Sequence, residues 1–292
     1  MTNATGFRSG FACFVGRPNA GKSTLTNAIV GEKIAITSSK PQTTRHIIRG
    51  IVSRPDAQLV LVDTPGLHRP RTLLGERLND LVYETWGTVD VIGVCLPSNQ
   101  HVGPGDEFLL NEIAKLPRRP KLLALATKCD LVGPTRLAEH LMRIQALEEK
   151  LGIRWEAMIP VSAVTDDQVD VVVAEIVRLL PEGPALYPED AVTDESDETR
   201  VAELIREASL EGVREELPHS IAVIVDEMAL REGRPADKPL LDIFATIVVE
   251  RDSQKGIIIG HQGERLRDVG REARLQINEL LGVPTHLALK VK

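Results

Sequence analysis

Aromatic residues are scarce in this chain: five Phe, two Tyr and two Trp occur among 292 residues. A protein that binds single-stranded nucleic acid chiefly by stacking successive bases on aromatic rings needs more of them, so the composition disfavours that mode of binding. Cysteine is scarce too, and Cys13, Cys95 and Cys129 lie in or beside apolar runs at spacings that match no metal or redox motif. We expect reduced thiols in a buried core.

Long apolar runs are lacking as well. No run approaches the roughly 18 to 20 residues that a membrane-spanning helix needs, and residues 1–10 lack the apolar segment of a signal peptide. The sequence therefore predicts a cytoplasmic protein.

The chain has fewer basic residues than acidic ones, 35 against 42, so its formal net charge is −7. That value alone argues against a nucleic-acid partner. The charge is unevenly distributed, however: residues 1–181 and 243–292 each carry +2, whereas residues 182–242 carry −11. Because these two segments carry a slight positive charge, the net charge of the whole chain does not exclude binding of phosphate groups by them.

The length and the order of apolar segments predict two domains. Up to residue 181, short β-rich apolar runs alternate with segments of helical periodicity, which predicts an α/β domain with a mostly parallel sheet flanked by helices. Proline, glycine and acidic residues follow, as in an exposed linker. The remaining segments predict a smaller α+β domain. The predicted organisation is a tail at 1–6, a first domain at 7–181, an acidic linker at 182–198 and a second domain at 199–292.

A phosphate-binding loop is predicted between the first strand and the first helix. The segment matches the pattern GxxxxGK[ST] in the strand-to-helix context that the pattern requires, although a glycine-rich turn is the alternative. Backbone N–H groups at a helix N-terminus bind phosphate, Lys22 can reach the β- and γ-phosphates, and Ser23 can supply a Mg²⁺ ligand. The predicted phosphate-binding residues are Gly16, Arg17, Pro18, Asn19, Ala20, Gly21, Lys22 and Ser23.

A second motif, Asp63-Thr-Pro-Gly66, ends a later hydrophobic strand. Asp63 can lie beside the metal ion while the Gly66 N–H faces a γ-phosphate. In the polar segment 40–45, a threonine can complete the Mg²⁺ shell when the loop closes over a triphosphate, and Thr44 is favoured over Thr43; an ordinary polar loop is the alternative. The predicted switch and γ-phosphate residues are Thr43, Thr44, Asp63, Thr64, Pro65, Gly66 and Leu67.

A third motif, Thr127-Lys-Cys-Asp130, follows another buried strand. A carboxylate at Asp130 can accept hydrogen bonds from the N1–H and 2-amino groups of guanine, which adenine lacks. Ser162 and Ala163 close the last strand of the domain, where a backbone N–H can meet guanine O6. The predicted guanine-binding residues are Thr127, Lys128, Cys129, Asp130, Ser162 and Ala163.

The second domain contains a GxxG turn at 260–263, between an aliphatic run and an amphipathic helix at 264–281 that carries four arginines. Such a turn lets a nucleic-acid backbone approach closely; alone it is weak, and a helix–helix turn in an accessory domain is the alternative. The predicted RNA-binding residues are Lys255, Gly256, Ile257, Gly260, His261, Gln262, Gly263, Arg265 and Arg267. Arg271, Arg274, Lys290 and Lys292 either extend the phosphate track or only solubilise the surface.

Taken in order, these motifs, including PQTTRH at 41–46 and DTPGL at 63–67, resemble the translation-factor-like GTPases and specifically the Era family of bacterial ribosome-assembly GTPases. The resemblance covers nearly the whole chain, and its second part resembles a type II KH domain. It implies GTP hydrolysis to GDP with Mg²⁺, binding to the 3′ end of 16S rRNA, and assistance in the maturation of the small (30S) ribosomal subunit. It also implies a monomer, with peripheral membrane association as an open question.

Two departures from common GTPase patterns bear on mechanism. Thr127 stands where the usual guanine motif has Asn, and Leu67 stands where many switch GTPases have a water-orienting Gln. The second departure resembles GTPases with a hydrophobic residue there, which implies slow hydrolysis stimulated by K⁺ bound through Asn19. His68 is an alternative catalytic base, although a surface histidine is the more ordinary interpretation.

Two other classes of protein stay open at this point. One is a P-loop kinase or ATPase with an accessory domain, against which Asp130 and the lack of an obvious phosphate-acceptor site argue. The other is a GTPase switch on the membrane surface, for which the sequence offers no strongly basic amphipathic helix.

Overall fold

The computed structural model describes residues 6–37, 44, 46–67, 73–211, 221–235 and 237–292. The chain divides into two compact units, one formed by residues 1–35 and 44–194, the other by residues 36–43 and 195–292. The division at 194–195 falls within the predicted linker at 182–198. Within the described ranges, no helix is both long and apolar enough to cross a membrane.

The first unit alternates strands and helices, as the sequence predicted. Its elements are β1 (Arg8–Val15), α1 (Lys22–Val30), β2 (Ile48–Arg54), β3 (Ala57–Asp63), α2 (Leu73–Thr88), β4 (Val91–Cys95), α3 (Pro104–Ala114), β5 (Lys121–Thr127), α4 (Pro134–Leu151), β6 (Trp155–Val161) and α5 (Val169–Leu179).

These strands form one six-stranded sheet in the order β2-β3-β1-β4-β5-β6. Only β2 is antiparallel to its neighbour; β3, β1, β4, β5 and β6 run parallel to one another. Apolar clusters cover both faces of the sheet, as parallel strands require. The carboxyl ends of the parallel strands share one edge, so the three predicted nucleotide motifs, which follow β1, β3 and β5, meet there.

Most residues between 182 and 190 are exposed, as predicted for a linker, but the segment 182–194 is also hydrogen-bonded to the strands of the first unit. The Gln58 side chain accepts hydrogen bonds from the N–H groups of Leu186 and Tyr187 and donates to the Tyr187 carbonyl. The Ile51 N–H of β2 donates to the Val192 carbonyl at 2.8 Å. β2 is an edge strand, and the acidic segment satisfies part of its exposed backbone.

The second unit is an α+β domain, as predicted. Its elements are α6 (Asp197–Leu210), β7 (Ile221–Leu230), β8 (Leu241–Val249), α7 (Asp252–Ile259), α8 (Glu264–Leu281) and β9 (Thr285–Val291). The sheet order is β7-β8-β9, with β7 antiparallel and β9 parallel to β8. One apolar cluster joins the sheet to the helices. In the same unit, the backbone N–H of Thr37 donates to Glu207 Oε1 at 2.7 Å.

Candidate functional sites

The loop between β1 and α1 has the backbone that a phosphate-binding loop needs. Asn19 and Gly21 have φ angles of 60° and 95°, in the left-handed region. A Cβ at Gly16 would lie 2.7 Å from the Cys95 carbonyl oxygen, so only glycine fits there. The N-terminus of α1 faces the loop, and its first N–H groups are available to an anion.

The Lys22 side chain extends from the start of α1 back to the beginning of the loop. Its ammonium group donates to the carbonyls of Gly16 and Arg17, both at 3.2 Å. Burial lowers the pKa of Lys22 below the usual lysine value, while nearby Asp63 raises it in part. The ammonium therefore lies over the space that the loop encloses, where β- and γ-phosphates would bind.

Arg17 ties the phosphate loop to the start of α3. Its Nε donates to Asp106 Oδ1 at 2.9 Å, and its Nη2 donates to the His101 carbonyl at 3.0 Å. The other oxygen of buried Asp106 accepts from the Gly103 N–H, which caps α3. Sequence reasoning did not find Asp106, because the contact joins residues far apart in the chain without a local pattern.

Three oxygen-bearing side chains converge beside the loop. Ser23 Oγ and Thr44 Oγ1 each lie 3.0 Å from Asp63 Oδ2 and donate to it, and the two hydroxyl oxygens are 3.4 Å apart. Asp63 Oδ1 is buried without a hydrogen-bond partner among the described residues. An orphaned carboxylate oxygen and two hydroxyls form a hard-oxygen set that fits Mg²⁺. Thr43, the other predicted threonine, lies outside the described residues.

Burial also sets the electrostatics of this cluster. It raises the pKa of Asp63 above the usual value, and Lys22 and the two hydroxyl donors only partly oppose that rise. A cation beside Asp63 would remove this penalty because it favours the charged carboxylate. The part of the chain described here contains no group of three or more His, Cys, Asp or Glu that could hold a metal ion.

The loop after β3 approaches Lys22. A Cβ at Gly66 would lie 3.7 Å from Lys22 Nζ, so the Gly66 backbone lies beside the Lys22 ammonium group. Thr64 and Pro65 are buried. Leu67 is only 8% exposed and packs in the apolar cluster that includes Val15. His68 lies outside the described residues.

The motif after β5 is bonded directly to the phosphate loop. Thr127 Oγ1 donates to the Ala20 carbonyl at 2.7 Å, and Lys128 Nζ donates to the Asn19 carbonyl at 2.8 Å. Asp130 is exposed in the short 3₁₀ turn that follows, so its carboxylate is accessible to a base. Burial raises the pKa of Cys129, which therefore stays a neutral thiol.

The loop after β6 is closed by its own hydrogen bonds. The Ser162 N–H donates to the Asp167 carbonyl, the Asp167 N–H donates back to the Ser162 carbonyl, and both distances are 3.0 Å. Of the two predicted residues, Ser162 therefore has its N–H occupied within the loop.

In the second unit, the GxxG turn joins α7 to α8. Gly260, Gln262 and Gly263 have φ angles of 73°, 50° and 78°, and a Cβ at Gly260 would lie 2.6 Å from Arg265 Cβ. His261 and Gln262 are exposed at the tip of the turn. The aliphatic run at 257–259 forms the last turn of α7; Ile257 is 48% exposed, whereas Ile258 is buried.

A groove runs from this turn between α8 and β9. Its cavity volume is about 530 Å³, and its lining contains both leucine and arginine side chains. Of the predicted RNA-binding residues, Gly263 and Arg267 line it. The complete lining is Gly263, Leu266, Arg267, Gly270, Arg271, Arg274, Leu287 and Leu289.

Two of the side chains that the sequence predicts to bind RNA, Arg265 and Lys255, have partners within the protein. Arg265 Nη2 donates to the carbonyls of Ser209 and Glu211 at the end of α6, at 3.2 and 2.8 Å. This position corrects the expectation that Arg265 faces the ligand, since its guanidinium satisfies helix-terminal carbonyls. Lys255 pairs with Asp252 at 2.8 Å on the surface of α7, a contact that solvent exposure keeps weak.

The sheet order, the phosphate loop and the base motif define the first unit as a P-loop GTPase, and the helix pair around the GxxG turn defines the second as a KH domain. Two family models agree: "50S ribosome-binding GTPase" matches residues 11–128 and "KH domain" matches residues 216–292. GTPase Era of Streptomyces coelicolor is 64% identical over 98% of this chain and 90% of its own length. GTPase Era of Mycolicibacterium smegmatis is 57% identical over 99% and 94%. The chain belongs to the Era family of GTPases.

Two solved structures have the same architecture over nearly the whole chain. One is Era in complex with MgGDPNP and nucleotides 1506–1542 of 16S ribosomal RNA, with a TM-score of 0.90, 34% identity and coverage of 98% of this chain and 93% of that one. The other is a variant of Aquifex aeolicus Era bound to GDP·AlF4⁻, with a TM-score of 0.90, 33% identity and coverage of 98% and 94%.

Proposed function

We propose that this chain is a GTP-hydrolysing switch that binds the 3′ end of 16S rRNA and assists maturation of the small ribosomal subunit. The observation that carries the nucleotide part is the convergence of Ser23, Thr44 and Asp63 beside the phosphate loop. The KH groove and the Era relative with bound 16S rRNA nucleotides support the RNA part.

In this proposal the phosphate loop binds the α- and β-phosphates through its backbone, and Lys22 neutralises the β- and γ-phosphate oxygens. Ser23 and Thr44 would hold Mg²⁺ directly, and Asp63 would hold it indirectly. When bound, the ion supplies positive charge against the phosphate oxygens. The Gly66 N–H meets the γ-phosphate, so the presence of that phosphate decides whether the Gly66 and Thr44 segments are held in place.

Hydrolysis is expected to be slow. A buried leucine at position 67 cannot hold a water molecule by a hydrogen bond, and its side chain packs into the core instead. We assign K⁺ binding to the exposed amide of Asn19 in the phosphate loop, where an added positive charge would substitute for an arginine finger.

RNA binding is assigned to the groove between α8 and β9. The glycines of the turn allow close approach of a sugar-phosphate backbone, and Arg267, Arg271 and Arg274 supply positive charge. Leu266, Leu287 and Leu289 offer an aliphatic floor for bases. This arrangement needs no aromatic platforms, in keeping with the composition of the chain.

The test is RNA crosslinking and sequencing with the full chain in the presence of GTP, of GDP and without nucleotide. Enrichment of the 3′ end of 16S rRNA with GTP above the other two states is expected. Loss of that enrichment in Arg267→Glu, with GTP binding retained, would locate the contact in the groove. Equal recovery of unrelated RNA in all three states would contradict the coupled function.

The kinase or ATPase alternative predicts a different base preference. Asp130 accepts hydrogen bonds that only guanine donates, so GTP is expected to bind far more tightly than ATP. Equal affinity for the two nucleotides would reject the guanine assignment.

A further inference from the structure

Gly270 lies in the interior of α8, where the backbone is helical and a side chain would cause no backbone strain. In that setting glycine is the least favourable residue after proline. The glycines of the GxxG turn differ from it, because the positive φ angles of Gly260 and Gly263 favour glycine. The backbone conformation therefore does not explain the glycine at position 270.

The packing of the domain does not require glycine at position 270 either. A Cβ built on Gly270 would meet Leu289 Cδ1 at 3.7 Å, which is an ordinary van der Waals distance. Alanine would fit there and would also stabilise the helix. A glycine that weakens its helix without improving the packing is explained by a ligand that must come close to the backbone.

Gly270 also lies at the centre of the wall that α8 contributes to the groove. On a helix, the surface neighbours of a residue are those three and four positions away. For Gly270 these include Leu266, Arg267 and Arg274, all of which line the groove. Leu289 approaches the same position from β9. The missing side chain therefore leaves a recess between two leucines, with arginines beside it.

We infer that Gly270 is a binding residue of the groove, and that one unpaired RNA base packs against α8 at this position, between Leu266 and Leu289. This inference rests on the proposed binding of RNA in the groove. A bare helix backbone lets a planar group approach more closely than a side chain would allow, and the two leucines supply apolar contacts to it. Arg267 and Arg274 carry the charge that holds the neighbouring phosphates.

The experiment is titration of the full chain with a single-stranded oligonucleotide of the 16S rRNA 3′ end at several salt concentrations. Gly270→Ala is expected to weaken binding about tenfold, because a methyl group added to a filled apolar site displaces the base. The slope of log K against log salt is expected to keep its wild-type value, because no phosphate contact is lost. The thermal midpoint is expected to rise by about 1 to 4 °C, because alanine favours the helix.

Two further variants separate the added volume from other effects. Gly270→Ser adds a side chain of similar size and is expected to weaken binding to the same extent. Gly87→Ala makes the same exchange near the end of α2 in the first unit, where a Cβ would meet no atom of the described residues within 4 Å. This control is expected to leave RNA binding unchanged.

A set of oligonucleotides that each carry one abasic site tests whether the contact is made with a base. With the oligonucleotide that lacks the contacting base, wild type and Gly270→Ala are expected to bind equally, because the group that the methyl displaces is absent. A tenfold difference between the two proteins that persists with every abasic oligonucleotide would overturn the contact with a base.

Unchanged RNA affinity in Gly270→Ala would overturn the inference. A thermal midpoint below that of the wild type would also overturn it, because the fold itself would then require the glycine. No measurable binding of the oligonucleotide by the wild-type chain would instead reject the proposed RNA-binding function, so the two failures are distinguishable.

Discussion

Thr44 Oγ1 donates a hydrogen bond to Asp63 Oδ2 at 3.0 Å, and this contact joins the segment before β2 to the carboxyl end of β3. Ser23 bonds the same oxygen from the start of α1. Two motifs of a nucleotide switch therefore already meet at one carboxylate. Bound Mg²⁺ would be held by the two hydroxyl oxygens, and Asp63 would supply negative charge beside it.

Asp63→Asn tests this cluster through metal dependence. The amide cannot supply a negative charge to Mg²⁺, so GTP affinity with Mg²⁺ is expected to fall about tenfold or more, while affinity measured with EDTA changes little. Titration of a fluorescent GTP analogue with and without Mg²⁺ checks this. Asp56→Asn, an exposed aspartate at the turn between β2 and β3, is the matched control; an equal loss in both variants would contradict the role of Asp63.

The same variant has a predicted effect on stability. The pKa of Asp63 is raised in the folded state, so the folded chain binds more protons than the unfolded chain, and stability falls as the pH rises from the ordinary Asp pKa towards the raised value. In the nucleotide-free protein at neutral pH, Asp63→Asn is therefore expected to raise the thermal midpoint. Between pH 5 and 8, the thermal midpoint of the wild type is expected to fall more steeply with rising pH than that of the variant. An equal dependence of the two midpoints on pH would contradict the prediction.

The phosphate loop, Asp63 and Asp130 could be predicted because each belongs to a short motif at the end of a strand, and Thr44 because it lies in the polar segment between the first two of these motifs. Two other contacts could not be predicted: the hydrogen bond of Arg265 to the end of α6 and that of Arg17 to Asp106. Each joins residues that are far apart in the chain, by 54 and 89 positions. The packing of residues 182–194 was missed for a related reason. Their proline and acidic content is typical of a linker, and only the unpaired edge of β2 and the buried amide of Gln58 explain why they are ordered.

Asp106→Ala tests the link between α3 and the phosphate loop. It removes the partner of Arg17 and the cap of α3, and the free energy of unfolding is expected to fall by about 1 to 2 kcal/mol. GDP and ADP affinities should fall by the same factor, because the loop is loosened but Asp130 is untouched. Chemical denaturation and nucleotide titration measure the two effects. A selective loss of GDP binding would show that Asp106 acts on the base site instead.

Asn19 offers a test of K⁺ stimulation that avoids backbone strain. Its φ of 60° makes alanine an unsuitable replacement, whereas glycine adopts that conformation freely. Asn19→Gly is expected to abolish the preference for K⁺ over Na⁺ in GTP hydrolysis, and Asn19→Asp, which keeps a side-chain oxygen, is expected to retain it. Steady-state phosphate release in the two salts gives the ratio. An unchanged ratio in Asn19→Gly would remove Asn19 from the cation site.

Arg267→Glu tests the groove against the rest of the basic surface of the KH domain. Arg267 is exposed and lines the groove between α8 and β9, whereas Lys290 pairs with Asp226 at 3.4 Å and does not line it. Losing a phosphate contact is expected to weaken binding of a single-stranded 16S rRNA 3′-end oligonucleotide and to lower the slope of log K against log salt by about 0.7 to 1. Lys290→Glu makes the same charge change outside the groove and should lower the slope much less. Equal slopes in the two variants would mean that the RNA responds to the net charge of the domain and not to the groove.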